Sequence, residues 1–136
     1  MLLDNEMKNL LARVRTIAVL GAKDKPGQPV DMVGRYLIAA GFTVFPVHPK
    51  RNGVWGLPTF RTLADIPEPI DLVDVFRAPE HCADHARECA ALAHAPLAFW
   101  MQSGITCPQA FEILKDTPTV VVQDACLMVE HRRLLG

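Results

Sequence analysis

The chain has no glycine-rich Gly-x-Gly-x-x-Gly fingerprint, no Walker-type Gly-Lys-Ser and no cysteine pair at Cys-x-x-Cys spacing. The first two absences remove the usual signatures of dinucleotide and P-loop binding. The third removes the zinc ribbon and the thioredoxin-like site. It leaves Cys82, Cys89, Cys107 and Cys126 to be read as reduced, partly buried thiols. An excess of one charge is missing too: 14 Lys and Arg stand against 15 Asp and Glu, a net charge of -1. That balance makes no case for nucleic acid or an anionic membrane as partner. No apolar run approaches membrane-spanning length, and Met1-Leu-Leu-Asp-Asn-Glu carries acids where a signal peptide needs cations. The expectation is a soluble, cytoplasmic protein. Residues 1–136 form one domain, long enough to bury roughly two-thirds of its unfolded surface.

What is present is alternation. Short, nearly continuous apolar runs at 16–21, 43–47, 72–76, 97–101 and 119–122 read as strands covered on both faces. Helical patterns separate them, so the expected architecture is α/β: a five-stranded parallel sheet in three layers, helices on both faces. Leu3, Met7, Leu10 and Val14 mark an N-terminal helix within 1–14 that packs on the body. Val30, Val33, Leu37 and Ala40 mark a second helix, ended by Gly41. A short helical turn at 62–67 precedes the third strand. Pro79 opens a helix to about His94 with Cys82, Ala86, Cys89 and Ala93 as its stripe, Pro108 opens another, and the tail from Ala125 is helical.

Ligands of such sheets sit beyond the carboxyl ends of the strands, where strand order reverses. The first such loop, Gly21-Ala22-Lys23-Asp24-Lys25, leads into a helix whose free N–H groups and positive end suit a phosphate. The second strand ends in His48-Pro49-Lys50-Arg51. A dinucleotide fold that holds an unmodified ribose has an Asp or Glu there. Cations suit a phosphorylated ribose instead, which points to coenzyme A or NADP. Lys50 is the preferred phosphate contact and Arg51 the outward alternative. In the third loop Phe76 or Ala78 offers an apolar wall for adenine and Pro79 starts a helix. Arg77 there reaches either a phosphate or an acid elsewhere. In the fourth, Gln102 and Ser103 precede Gly104 and would orient a ligand without acid–base power.

Three features compete for chemistry. His81, His85 and Cys89 lie near one side of a helix at metal-ligand types, but Cys89 belongs to the apolar stripe, so surface histidines and a core thiol are expected. Cys126 beside Asp124 would need a lowered pKa to react and reads better as structural. Trp55, in the irregular loop 48–61, reads as an exposed contact point.

Taken in order, Ile17-Ala-Val-Leu-Gly-Ala, Pro46-Val-His-Pro-Lys, Asp65-Ile-Pro-Glu-Pro-Ile-Asp-Leu-Val-Asp-Val-Phe-Arg, Trp100-Met-Gln-Ser-Gly-Ile and Asp124-Ala-Cys-Leu-Met-Val-Glu-His resemble the small stand-alone CoA-binding proteins. The chain is similar to the CoA-binding domain of the succinyl-CoA synthetase α subunit and of NDP-forming acyl-CoA synthetases. The resemblance implies a Rossmann-like fold holding coenzyme A or an acyl-CoA across the crevice. Gly21 to Lys25 would face the diphosphate, Lys50 the phosphorylated ribose, Phe76 to Pro79 the adenine side and Gln102 to Gly104 the pantetheine path. The chain departs from the family at Lys23, where a small hydroxyl residue is common, and at Val30 and Asp31, where another is expected. None of its five histidines resembles the phosphorylatable histidine of the synthetases. Binding without catalysis by this chain alone is therefore expected, with a separately encoded ligase partner or a homo-oligomer as the protein contacts it implies. An NADP-dependent redox protein is the alternative, disfavoured because Tyr36, the sole tyrosine, lies within a helix.

Overall fold

The strands are buried almost without a break, and their alternate residues face two separate apolar clusters, one on each side of the sheet. The computed structural model describes residues 2–136; Met1, the first residue of the expected N-terminal helical segment, lies outside them. The strands are β1 (Thr16–Leu20), β2 (Thr43–Val47), β3 (Leu72–Val75), β4 (Ala98–Met101) and β5 (Val120–Val122). The helices are α1 (Asp4–Ala12), α2 (Pro29–Ala39), α3 (Pro79–Ala90), α4 (Pro108–Leu114) and α5 (Leu127–Leu134). All pairings are parallel, in the order β2-β1-β3-β4-β5.

Ile17, Val19, Leu72, Ala98 and Trp100 face one side of the sheet, under Leu10 and Leu11 of α1, Val33 and Leu37 of α2 and Leu127 of α5. Ala18, Leu20, Val73, Val75, Phe99 and Met101 face the other, under Cys82, Ala86 and Cys89 of α3 and Ala110 and Leu114 of α4. A parallel sheet needs both faces covered, because its crossovers put helices on each. Proline opens α2, α3 and α4, where its missing N–H costs nothing and its fixed φ fits the first turn. The five expected strands and five expected helices all form.

Several details differ from the sequence pattern. Leu3 is 67% exposed at the start of α1, and Leu11 takes its place in the core. Ala40 and Ala93 are exposed, since α2 ends at Ala39 and α3 at Ala90, short of the expected boundaries. Asp71 explains how the N-terminal edge is tied. Its carboxylate accepts the N–H groups of Arg15 and Thr16 at 2.8 and 3.1 Å, binding the entry of β1 to that of β3.

Asp74 is the anomaly of the core. It is fully buried at the centre of β3, with Val19 on one side and Trp100 on the other, and neither carboxylate oxygen has a hydrogen-bond partner among the described residues. Burial raises its pKa well above the usual carboxylate value, so the fold favours the protonated form. The folded protein keeps this proton after the unfolded chain has released it, near pH 3.9. Stability from this group is thus complete below that pH and is lost as pH rises toward the folded pKa. Asp74→Asn removes the slope. In urea titrations at pH 5 and pH 7 the variant should gain on the parent by up to about 1.4 kcal/mol per pH unit; parallel pH profiles for the two proteins would contradict a buried, proton-holding Asp74.

Candidate functional site

The strand order reverses between β1 and β3: α2 carries the chain outward to β2, and α3 carries it the opposite way to β4. The loops leaving two adjacent strands therefore part and open a crevice at their carboxyl ends. Here it is a cleft of about 360 Å³ whose walls are Gly21 and Lys23 from the first loop and Phe76, Arg77, Ala78 and Pro79 from the third. Gln28, Pro29 and Val30 at the start of α2 and Ile105 after β4 complete it.

Gly21 sets how closely the walls approach. Its φ is +79°, and a Cβ there would stand 2.2 Å from the Phe76 carbonyl oxygen. The Gly21 and Ala22 N–H groups both donate to the Val47 carbonyl, at 3.0 and 3.2 Å. Three strand ends are stitched together at this point. These two N–H groups are spent on the fold, and Ala22 is completely buried. Donors for an anion come from farther along. Gln28, the residue before α2, makes no capping bond with its side chain, and Ala78, before α3, has no side chain able to cap. Two helix N-termini without a side-chain cap adjoin the cleft, each with one acidic residue, Asp31 or Glu80, in its first turn.

The charge around it is positive. Arg77 lays its aliphatic stem beside Gly21, makes no ion pair among the described residues, and its Nε is buried without a partner. Arg51 lies 3.5 Å from Asp24, linking the second loop to the first. Lys50 is exposed and, like His48, Pro49 and Arg51, does not itself line the cleft; the Pro49 carbonyl accepts a hydrogen bond from Arg61. His48 feels all of these groups. Its imidazole is held below the ordinary value, first by burial and then by the charges of Arg51, Lys23, Arg77 and Lys50. Four cations from three loops share one field.

The fourth loop is placed differently. Gln102 is buried and its Oε1 accepts the Leu127 N–H at 3.1 Å, capping α5. The Gly104 N–H donates to Asp124 Oδ1 at 2.7 Å, tying this loop to the end of β5, and Ser103 is exposed. None of the three lines the cleft; Ile105, next along the chain, does. Lys25 is exposed on the first loop, its carbonyl accepting the Gln28 N–H. Gln28, Pro29 and Ile105 were not singled out from the sequence, and Val30 only as a helix-face residue standing where the family resemblance leads one to expect a hydroxyl. Gln28-Pro29 does carry a signal, being the start of the helix that the first loop feeds.

Trp55 is not the exposed contact the sequence suggested. Its ring fills the space where a Cβ on Gly34 would sit, at 2.2 Å, and its Nε1 donates to buried Asp31 at 2.9 Å. Arg35 closes the same carboxylate at 3.0 and 3.1 Å. The metal-type cluster does not assemble. His81 is exposed, His85 sits 3.0 Å from Glu88, and burial pushes the Cys89 thiol up to about 12. Among the described residues no three metal-ligating side chains converge.

Residues 15–132 match the family described as the CoA binding domain. The chain belongs to that family. The Bacillus subtilis protein YneT is 35% identical over 126 residues, which span 93% of this CoA-binding chain and 92% of YneT. The Thermus thermophilus structure of cell-free ID.343 shares 43% identity at a TM-score of 0.91, covering 98% of this chain and all of its own, 100%. The dinucleotide forming acetyl-coenzyme A synthetase 1 of Ca. Korarchaeum cryptofilum, solved with phosphate and ADP, superposes at a TM-score of 0.69 with 18% identity. It covers 85% of this chain and 27% of that one, and at this identity the likeness concerns the fold alone. No helix among the described residues of this CoA-binding domain is long and apolar enough to cross a membrane.

Gly21→Ala tests the geometry of the cleft. The left-handed backbone and the contact with Phe76 together should cost about 2–4 kcal/mol. Chemical denaturation would show this as a lower midpoint at unchanged slope, whereas a variant as stable as the parent would mean the two loops are not in contact.

Proposed function

We propose that this chain binds coenzyme A or an acyl-CoA through the phosphorylated ADP end, and that any chemistry on the acyl group belongs to a partner. The observation that carries the reading is the set of four cations, Lys23, Lys50, Arg51 and Arg77, drawn from three loops around the switch-point cleft. A phosphorylated ribose and a diphosphate together present several negative charges, and this is the only ligand end of CoA that calls for such a cluster. The residues fit it. Arg77 offers a buried Nε that no group among the described residues satisfies, Lys23 stands in the cleft, and the uncapped start of α2 supplies further positive potential.

In this reading Lys23 and Arg77 hold the diphosphate, and Lys50 with Arg51 reads the ribose phosphate. Phe76, Ala78 and Pro79 form the adenine side. The pantetheine runs past Ile105 toward the loop of Gln102, Ser103 and Gly104. The side chains lining the cleft are cationic, amide or apolar, a set that binds and orients but does not move protons at neutral pH. A partner chain carrying ligase domains would complete an acyl-CoA-forming enzyme, as the synthetase likeness suggests.

Calorimetry with CoA, acetyl-CoA, dephospho-CoA, NADP and NAD separates the possibilities. CoA and acetyl-CoA should bind alike. Loss of the ribose phosphate should weaken binding about 10- to 100-fold, the worth of one charged hydrogen bond or pair. Lys50→Ala should abolish most of that difference. Tight NADP binding without response to CoA would overturn the reading in favour of a reductase-like ligand.

A further inference from the structure

His48, Lys50 and Arg51 at the end of β2 read as basic by residue type, yet His48 is engaged in a way that a cation could not be. Its Nδ1 accepts the backbone N–H groups of Lys50 and Arg51, both at 3.0 Å. This is the pattern in which an Asn or Asp side chain holds the residues two and three positions ahead. A ring nitrogen that accepts two N–H groups carries no proton, so the imidazole is neutral with its hydrogen on Nε2. The backbone of His48 is fixed as well, its N–H donating to the Phe60 carbonyl at 2.9 Å.

We infer that His48 is an uncharged positioning residue, whose Nδ1 lone pair holds the Lys50–Arg51 turn in the shape that presents both cations to a ligand phosphate. The ligand in this inference rests on the CoA reading above; the state of the imidazole does not. A second proton could go only to Nδ1, where it would displace both backbone bonds and release the turn. The surroundings oppose that proton. Lys23 faces His48 from the loop after β1, Arg77 from the loop after β3, and Lys50 and Arg51 from its own loop. Arg61 holds the Pro49 carbonyl on the returning arm, and Asp24, the carboxylate of the neighbourhood, is taken by Arg51. Burial and these cations keep the imidazole below its ordinary value, in agreement with the geometry. Acidification beyond that point turns the positioning device off.

Nitrogen-15 spectra of the histidine rings give the tautomer and the titration of His48, with or without ligand. CoA is then titrated calorimetrically into the parent, His48→Asn and His48→Leu across the pH range in which His48 titrates. The CoA phosphate monoester itself changes charge near pH 6, which affects all three proteins alike. The readout is therefore parent affinity relative to His48→Asn, which keeps an acceptor that does not titrate. Expected are an Nε2–H tautomer and a ratio near one at pH 7.5. The ratio should then fall about three- to tenfold as His48 gains its proton, and His48→Leu should already be weakened by a similar factor at pH 7.5. An Nδ1–H tautomer would overturn the inference. So would a ratio that rises or stays flat across the titration, or full affinity in His48→Leu. If the parent binds no CoA at any pH, the CoA reading falls and the ring spectrum alone decides His48.

Discussion

The contact between Gly21 and the Phe76 carbonyl decides whether the site exists. A parallel sheet whose order reverses always has two diverging loops, but divergence alone leaves a shallow notch. Here the first loop bends back through a left-handed glycine and lies against the third, close enough that no side chain fits between them. The same turn gives two N–H groups to Val47, so the end of β2 is drawn into the arrangement. Lys23, Lys50 and Arg77 are separated in sequence and become neighbours through this joint. The cationic field is a consequence of a backbone contact.

The structure bears two local costs near that joint. Asp31 places a carboxylate in the first turn of α2 and buries it, where Arg35 and the Trp55 indole satisfy it. Gly34 lacks a side chain, and that space lets Trp55 reach Asp31; the long second loop is thereby pinned to α2. Asp74 has no such relief. A carboxyl group without partners at the centre of the sheet destabilises the fold by the usual penalty of about 1–3 kcal/mol for an unsatisfied buried polar group.

Much of this was legible in the sequence, for identifiable reasons. Continuous apolar runs revealed the strands because both faces are covered, and Pro29, Pro79 and Pro108 marked helix starts because proline fits nowhere else in a helix. Gly21 was visible as a turn, but its contact with Phe76 joins residues 55 positions apart in the chain and leaves no local pattern. Periodicity misplaced Leu3, Ala40 and Ala93, each at the end of a stripe, where the helix ends or runs past the sheet it covers. Gln102 looked like a ligand contact because a polar residue at a strand end usually faces solvent. Capping of α5 is a tertiary use that spacing does not encode. His48 was counted among the cations by residue type, and only the two N–H groups converging on Nδ1 reveal a neutral acceptor.

Amide chemical-shift mapping with CoA is the most direct test of where the ligand sits. Perturbations are expected only at 21–30, 48–51, 76–79 and the neighbourhood of Ile105, along the carboxyl edge of the sheet. A second concavity of about 280 Å³ lies at the opposite edge, between Leu63–Ile70 and Ala91–His94. Perturbations centred there, with the switch-point loops unmoved, would contradict the account.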